Sequence, residues 1–326
     1  MYSDRTLPPI LYVDCVKVYS LGNMDRRATL PVGLLAVICS LPYSVHCNGQ
    51  VPSVPDRCSV SAPSSKVDSA WRKVIIKRID FGGPIRLSKS DVAGIIREAN
   101  KTMLNAEDPD WIKEFTEANL REAWLTHGYF KVYMTAQASS LSGNSNEERF
   151  LVAAHVEEGS QYHLRDIRFR GVTDTRFGDD LTFPEATLRA AIPIRDGEIF
   201  NVALIRNGIE ALTKLYNSKG YINFTAVPDT EVDDDLRPLI SLVFALDPEQ
   251  QFHVGKVEMM ALDPKLEARL REIVRPGEIF NPEAIKDFFK ENKSVFPSRP
   301  SPENLRVLRN VKAGIADLTF DFRPCP

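Results

Sequence analysis

Two histidines and a run of aspartates are the first residues in this chain whose types could support chemistry. His163 and His253 stand at matching positions 90 residues apart, and imidazole is a common metal ligand. Histidines in separate segments share one ion only if the segments dock closely, so polar residues at the starts of two strands are the simpler interpretation. Asp233-Asp234-Asp235 lacks the alternating oxygen donors and the glycine of a calcium loop, which favours a solvated hairpin turn.

Other patterns that accompany catalysis or cofactor binding are missing from the sequence. Gly82-Gly83-Pro84 has neither the following lysine nor the helix start of a phosphate-binding loop, and it predicts a turn. The chain has five cysteines but no Cys-x-x-Cys pair, which argues against a structural zinc site. No nucleophile elbow occurs, and the carboxylates and histidines show no spacing typical of a catalytic dyad. We therefore expect a protein that is not an enzyme and that carries no cofactor and no metal.

Composition and charge restrict the class of protein further. The 326 residues are 43% apolar and 26% charged, which is typical of a chain that folds around buried cores, and the length suits two to three domains. The formal net charge is −3 at pH 7, so no strong positive field exists to attract phosphate groups. Nucleic acid is therefore excluded as an expected partner.

The N-terminal segment has the features of an export signal. Arg26 and Arg27 form a positively charged start, and residues 28–45 are uncharged and mostly apolar. Prolines and a glycine interrupt the apolar run, which favours a cleaved secretory signal; a membrane anchor is the alternative. We expect residues 1–49 to be a targeting segment and Met24 to be the true start.

The segment that follows, residues 50–70, is rich in serine and proline without a period, which is typical of a disordered linker. If the targeting segment is cleaved, Cys58 and Cys325 remain as an even pair in an oxidising compartment. A disulfide between them is allowed but not specified, because one cysteine lies in the linker and the other in the C-terminal tail.

A long-period repeat is the most informative feature of the remaining sequence. The repeated pairs are HGYF at 127–130 with KGYI at 219–222, EEGSQY at 157–162 with DPEQQF at 247–252, and GEIFN at 197–201 and again at 277–281. Three markers recur in a consistent order, which indicates repeated structural units. We expect units over residues 71–160, 161–250 and 251–326, with boundaries near Gln161 and Gln251.

The middle unit shows which elements each repeat should contain. Residues 164–169 (LRDIRF) alternate polar and apolar side chains, as a half-buried strand does. Pro184 opens a short helix over 185–192, and Asn201 caps a second helix with apolar residues at helical spacing. That second helix ends at Gly220, after a basic last turn.

Two further strands follow the second helix. Residues 221–227 (YINFTAV) run into Pro228, whereas residues 239–246 (LISLVFAL) are nearly all apolar. Because proline cannot donate to a ladder and a continuous apolar run suits a strand between neighbours, the former strand should lie at an edge and the latter in the centre. The predicted fold class is α+β: tandem β-α-α-β-β modules, each a three-stranded mixed sheet with two antiparallel helices on one face.

The residues around the second helix resemble the polypeptide-transport-associated (POTRA) domain. The middle unit has Gly-x-x-Phe-Asn before this helix, at 197–201, and Leu-Tyr-x-x-x-Gly-Tyr at its end, at 215–221. The resemblance covers about residues 72–326 and is strongest over 162–252. POTRA repeats occur in the periplasmic arms of outer-membrane-protein assembly factors and of two-partner secretion transporters.

The sequence departs from the family pattern in three places. The first unit has NAEDP at 105–109 where the first motif is expected, and the third has FPSRP at 296–300 in place of Gly-Tyr. Family members that insert proteins into the outer membrane continue into a β-barrel, whereas this sequence ends at Pro326. The resemblance therefore implies polypeptide binding in the periplasm, and it does not carry over insertion or transport.

The function implied by the resemblance is that of a non-enzymatic periplasmic protein, secreted through its N-terminal signal and associated with the outer membrane. Its expected partners are extended polypeptides or outer-membrane protein clients, in assembly or secretion, with a separate β-barrel protein as a further expected partner. Two alternatives stay open: a periplasmic scaffold that joins envelope, division or secretion components and, less favoured, an uncharacterised enzyme.

The expected binding surface is the edge strand of the middle unit. An edge strand presents unpaired N–H and C=O groups, so an extended client can bind by adding a strand, with little demand on its own sequence. The alternative is an ordinary edge that Pro228 blunts. The candidate binding residues are Tyr221, Ile222, Asn223, Phe224, Thr225, Ala226 and Val227.

Overall fold

The computed structural model describes residues 72–323 apart from positions 100, 102, 145, 174, 175, 179, 180, 235, 236 and 297–303. The expected targeting segment and linker lie outside the described residues, as do Cys58 and Cys325, so the export signal and the disulfide stay predictions. In the described part of the chain, no helix has the length and apolarity that crossing a bilayer requires.

The first module contains three strands and two helical regions, and the second helical region includes a π-helical turn. Its elements are β1 (Lys73–Gly82), α1 (Lys89–Ala99), α2 (Trp111–Phe115), the π turn (Thr116–Arg121), α3 (Glu122–Leu125), β2 (Tyr133–Gly143) and β3 (Glu147–Glu157). Since α2, the π turn and α3 follow one another without a break, they act as one helix against the sheet.

The second and third modules repeat this order. The second consists of β4 (His163–Thr173), β5 (Arg176–Gly178), α4 (Glu185–Ala191), α5 (Val202–Asn217), β6 (Thr225–Asp233) and β7 (Leu239–Asp247). The third consists of β8 (His253–Met260), α6 (Pro264–Ile273), α7 (Pro282–Glu291), β9 (Leu305–Asn310) and β10 (Ile315–Asp321). The expected cap at Asn201 is present, since its side chain accepts from the backbone of α5, and Asn281 caps α7 in the same way.

Each module has its own mixed sheet, in the orders β1-β3-β2, β5-β4-β7-β6 and β8-β10-β9. In every case the last strand of the module lies between the first strand, to which it is parallel, and the strand just before it in the chain, to which it is antiparallel. This arrangement confirms the predicted fold class and the central position of residues 239–246. The short strand β5, which extends the second sheet beside β4, was not predicted.

The edge strand of the middle module begins later than the sequence predicts. Residues 221–224 form a turn after α5, and β6 starts only at Thr225, so the expectation of a strand over 221–227 is wrong for its first four residues. Aromatic packing explains the difference: Phe224 is buried and stacks on Tyr216 of α5, with ring centroids 3.8 Å apart. Pro228 does not end the strand, because it lies within the ladder opposite Phe244 at an exposed edge.

Each module has its own hydrophobic core, which lies between its sheet and its helices. In the first module, Trp111 and Trp124 both belong to the core. The carboxylate of Glu158 lies in the same region and is only 2% exposed, accepting from the Trp124 indole N–H at 2.9 Å and from the Arg86 backbone N–H at 2.7 Å. This buried carboxylate therefore connects the helix, the loop after β1 and the end of β3.

Replacing Glu158 with alanine should destabilise the first module by about 1–3 kcal/mol, because the buried indole N–H of Trp124 and the partly buried backbone N–H of Arg86 then lose their acceptor. Urea unfolding followed by tryptophan fluorescence measures this change selectively, since both described tryptophans belong to the first core. Glu157→Ala is the matched control, because the Glu157 side chain is 65% exposed, and it should stay within about 0.5 kcal/mol of the parent protein. Equal effects of the two substitutions would contradict this role of Glu158.

Candidate functional site

The seven candidate binding residues are divided by the structure between an edge strand and a turn. Thr225, Ala226 and Val227 lie on β6, which pairs with β7 on one side only. Val227 is 59% exposed, whereas Ala226 packs against the second core. The structure thus keeps three of the seven residues together on the edge.

The other four residues, 221–224, have different surroundings. Tyr221 and Phe224 pack in or against the core of the second module, while Ile222 packs against the core of the third. The Asn223 side-chain carbonyl accepts from Arg309 of β9 at 2.5 Å. Two of the candidate residues therefore join neighbouring modules rather than belonging to the edge.

Alternate residues of β6 point their backbone N–H and C=O groups away from β7. The Thr230 N–H donates to the Asp229 carboxylate at 2.9 Å, which places that N–H on the side away from β7. Residues two apart along a strand share the same direction, so Pro228 and Val232 also direct their backbone groups outward. Pro228 has no N–H, and the N–H of Thr230 is already bonded to its neighbour. The outward edge of β6 is therefore partly capped by its own side chains.

Two ion pairs cross the outer face of the second sheet. Arg168 of β4 reaches Glu231 of β6 at 2.5 Å, and Arg165 pairs with Asp233 in the same way. All four side chains are about half exposed, so each pair contributes little to stability. Because Glu231 and Asp233 are each paired with an arginine, these two carboxylates add less negative charge to the edge than the sequence indicates.

A metal site at His163 and His253 was the less favoured interpretation of the sequence. The structure places these two histidines in separate modules. Each begins the first strand of its module, and its backbone forms an isolated bridge to Ile199 or Ile279. Among the residues that the structure describes, no three His, Cys, Asp or Glu side chains lie close enough to hold a metal ion. The Asp234 carboxylate instead contacts Lys131 and Tyr162.

Successive modules meet at two junctions that repeat the same contacts. At the first, Tyr162 N donates to Gly128 O at 2.8 Å, and Gln161 Nε2 donates to His127 O at 2.9 Å. At the second, Phe252 N donates to Gly220 O at 2.9 Å, and Gln251 Nε2 donates to Lys219 O at 2.8 Å. We call these groups, together with Ile199 and Ile279, the first and second junctions.

Glycine is required at both junctions for two independent reasons. Gly128 and Gly220 have φ angles of 84° and 82°, a region that residues with a Cβ rarely adopt. A Cβ on Gly128 would lie 2.6 Å from Ile199, and one on Gly220 would lie 2.7 Å from the Phe252 carbonyl oxygen. The chain therefore packs the next module directly against the glycine backbone.

All three repeated sequence markers meet at these junctions. The Gly of HGYF and KGYI, the Gln-aromatic pair that ends the acidic marker, and the isoleucine of GEIFN contact one another although they are distant in sequence. Each marker is recognisable in the sequence, but the contacts between the markers were not predicted. The signal that they belong together was their joint recurrence in the same order, which indicates shared partners.

Each junction also inserts one apolar side chain of a module into the next core. Phe130 of the first module packs on Tyr162 and Phe200, with ring centroids 6.2 and 5.6 Å apart. Ile222 of the second module packs against the third core in the same way. Burial of these side chains couples neighbouring modules by the hydrophobic effect.

Polar bridges complete each junction. Lys131 Nζ lies 2.5 Å from Asp234 Oδ2, and the Tyr162 hydroxyl donates to the other oxygen of Asp234 at 2.5 Å. The hydrogen bond from Lys131, followed by that from Tyr162, lowers the pKa of Asp234 below its ordinary value. At the second junction the corresponding bridge is the hydrogen bond between Arg309 and Asn223, which carries only one charge.

Gly220→Ala should destabilise the contact between the second and third modules by about 1–3 kcal/mol, because the new methyl group strains the backbone and strikes the Phe252 carbonyl. Denaturant unfolding measures the loss. The matched control is Gly197→Ala, since Gly197 has a similar φ of 84° but nothing within 4 Å of its Cβ. The difference between the two variants isolates the steric contact, and no difference would show that the contact is unimportant.

The first junction should depend on pH through Asp234. Because the folded-state pKa of this carboxylate is lowered, its contribution is present at neutral pH and is lost as the pH falls through that lowered value. NMR titration of the Asp234 side chain should give a pKa below the ordinary 3.8, and Lys131→Met should move it upward. An unchanged pKa in the variant would rule out the bridge in solution.

Comparison with known proteins finds similarity in sequence and in fold. Residues 162–249 match the POTRA family model, described as a surface antigen variable number repeat. A Treponema pallidum (strain Nichols) protein, named provisionally as an outer membrane protein assembly factor, is 23% identical over 221 residues, covering 66% of this chain and 25% of that protein. The outer membrane protein assembly factor BamA of Neorickettsia risticii (strain Illinois) is 19% identical over 223 residues, covering 66% of this chain and 28% of that protein.

The fold comparison extends beyond the middle module. The crystal structure of Haemophilus influenzae BamA POTRA3-5 aligns with a TM-score of 0.53 and 16% sequence identity, covering 77% of this chain and 96% of that one. The chain spans about a quarter of the length of the two assembly factors. The middle module is a POTRA domain, and the three modules together have the fold of tandem POTRA repeats.

Proposed function

We propose that this chain is a non-enzymatic periplasmic protein that binds extended polypeptides during outer-membrane protein assembly or secretion. The names of the two similar proteins support this role, since both are called outer membrane protein assembly factors. The proposed partners are outer-membrane protein clients, whose strands alternate polar and apolar residues, and a separate β-barrel protein.

The proposed mode of binding is addition of a client strand to β6. The observation that carries it is an edge strand, paired on one side only, that exposes 59% of Val227 and 37% of Val232. Main-chain hydrogen bonds supply affinity without demanding a particular client sequence, and the exposed side chain of Val227 favours an apolar client side chain beside it. The binding residues are then Thr225, Ala226 and Val227, extended along the strand to Val232.

The partial capping of β6 fits a reversible interaction. A long, uncapped apolar edge would pair with any exposed strand and aggregate. Pro228 removes one outward donor, and the Asp229 side chain occupies another, the N–H of Thr230. A client that bonds to the N–H of Thr230 must first displace the Asp229 carboxylate. This cost keeps the binding of a client to β6 weak.

Val232→Pro should weaken client binding about fivefold, because the variant loses one outward hydrogen-bond donor while the ladder to β7 is kept. The probe is a synthetic ten-residue peptide with alternating valine and threonine, and NMR chemical-shift titration gives its dissociation constant. Val232→Ala is the control for the loss of side-chain contact.

Asp229→Ala should have the opposite effect, since it releases the N–H of Thr230 for the peptide. Unchanged affinity in the folded Val232→Pro and Asp229→Ala variants would refute strand addition at β6. Chemical-shift changes would then map the surface that the peptide uses instead.

A further inference from the structure

Two ion pairs cross the first junction, one in each layer of the modules. Lys131, two residues before β2, lies 2.5 Å from Asp234, one residue after β6. Glu122 of α3 pairs with Arg206 of α5. One pair therefore ties the sheets of the first two modules and the other ties their helices, and Gly128 lies in the chain between Glu122 and Lys131.

Dissolved salt has access to both pairs. Their four side chains are between 34% and 55% exposed. Screening weakens such exposed pairs, because the Debye length falls from about 10 Å at 0.1 M salt to about 3 Å at 1 M. The hydrogen bond to Asp234 raises the pKa of Lys131, and the hydrogen bond to Glu122 raises the pKa of Arg206, so both cations are held in their charged form.

The second junction has a neutral group in the sheet layer. Counted from the junction glycine, Asn223 stands at the position of Lys131. Its side-chain carbonyl accepts from Arg309 at 2.5 Å. Since only one of these two groups is charged, added salt weakens this contact less than it weakens the pair of Lys131 with Asp234.

The helix layer of the second junction carries two cations at the equivalent positions. Lys214 stands where the first junction has Glu122, counted from the junction glycine, and Lys286 stands where it has Arg206, counted from the asparagine that caps the helix. Two lysines repel each other, so these positions form no ion pair. Lys286 Nζ instead lies 2.7 Å from Glu283 of its own helix.

A hydrogen bond with one neutral partner takes the place of that ion pair. Asn217 Nδ2 of α5 donates to Glu283 Oε1 of α7 at 3.3 Å. The hydrogen bonds to the backbone carbonyls are the same at both junctions. The two junctions therefore differ in the charge of the side chains that flank a common backbone contact.

We propose that the first junction is an ion-sensitive joint: two ion pairs close it in dilute salt and release it as the ionic strength rises, whereas the second junction keeps its geometry. This inference goes beyond the proposed function and does not depend on it. Because each module has its own core, the joint changes the angle between the first and second modules without unfolding either. The ionic strength then alters the shape of the chain at one junction only.

Two backbone amides are matched reporters of the junctions. The Tyr162 N–H donates to Gly128 O at 2.8 Å, and the Phe252 N–H donates to Gly220 O at 2.9 Å. NMR hydrogen exchange on the full chain measures the protection of each amide at constant pH in about 0.02 M and about 0.5 M sodium chloride. Added salt should lower the protection of Tyr162 at least about threefold and change that of Phe252 less than about 1.5-fold.

Removing both ion pairs should abolish the salt response. In the double variant Glu122→Gln with Lys131→Met, the protection of Tyr162 in dilute salt should already be as low as that of the parent protein at high salt. The matched control is Lys113→Met with Glu114→Gln, which removes the same charges from exposed positions of α2, about two helical turns before Glu122. This control should keep the response of the parent protein.

A converse variant transfers the ion pair to the second junction. Lys214→Glu gives α5 a carboxylate at the position of Glu122, with Lys286 at the position of Arg206. Added salt should then lower the protection of Phe252 about twofold. Lys214→Gln, which only removes the charge, should leave Phe252 insensitive to salt.

Three results would overturn the proposal. The first is an equal salt response of both amides in the parent protein, and the second is a response of Tyr162 that survives the double substitution. The third is a parallel loss of protection at Val152 and Leu242, which lie in the first two cores, because salt would then unfold a module rather than open the joint. An unresponsive Phe252 in Lys214→Glu would show that charge at these positions does not decide which junction salt opens.

Discussion

The arrangement of this chain depends on the close approach of one module to the glycine that ends the last helical region of the module before it. The carbonyl oxygens of Gly128 and Gly220 accept hydrogen bonds from the backbone N–H of the first aromatic residue of the next module, Tyr162 or Phe252. Three cores that are otherwise separate thereby gain a defined relation to one another. Any side chain at the glycine would force the modules apart, because the space is already filled by an isoleucine and a backbone carbonyl.

The sequence predicted the modules better than it predicted their connections. Alternation, helix caps and a continuous apolar run identified the strands, the helices and the central position of β7, because these signals are local. The start of β6 was wrong because Phe224 gains more from stacking on Tyr216 than from joining a strand, and hydrophobicity alone does not show that choice. The junctions could not be assembled from the sequence, since their parts lie far apart along the chain and meet only after folding.

The first module shows that the shared backbone geometry does not require the shared residues. Arg72 and Asn105 occupy the positions that an aromatic residue and an isoleucine hold in the other two modules, as the matching backbone bridges show. The Asn105 side chain accepts from the backbone N–H groups of Arg72 and Glu107, so a polar cap holds the turn that Gly-x-x-Phe-Asn forms elsewhere. The turn of the first module therefore has different side chains on its surface but follows the same backbone course as the turns of the other two modules.

The parallel pairing of the first and last strands has a mechanical consequence. Because these strands are adjacent and parallel, the chain enters each module at one end of the sheet and leaves it at the other. A pulling force along the protein would then slide β4 against β7 lengthwise, and every hydrogen bond of that ladder would share the load. Each module should therefore resist stretching. Under tension the junctions should separate first, because only a few hydrogen bonds cross from one module to the next.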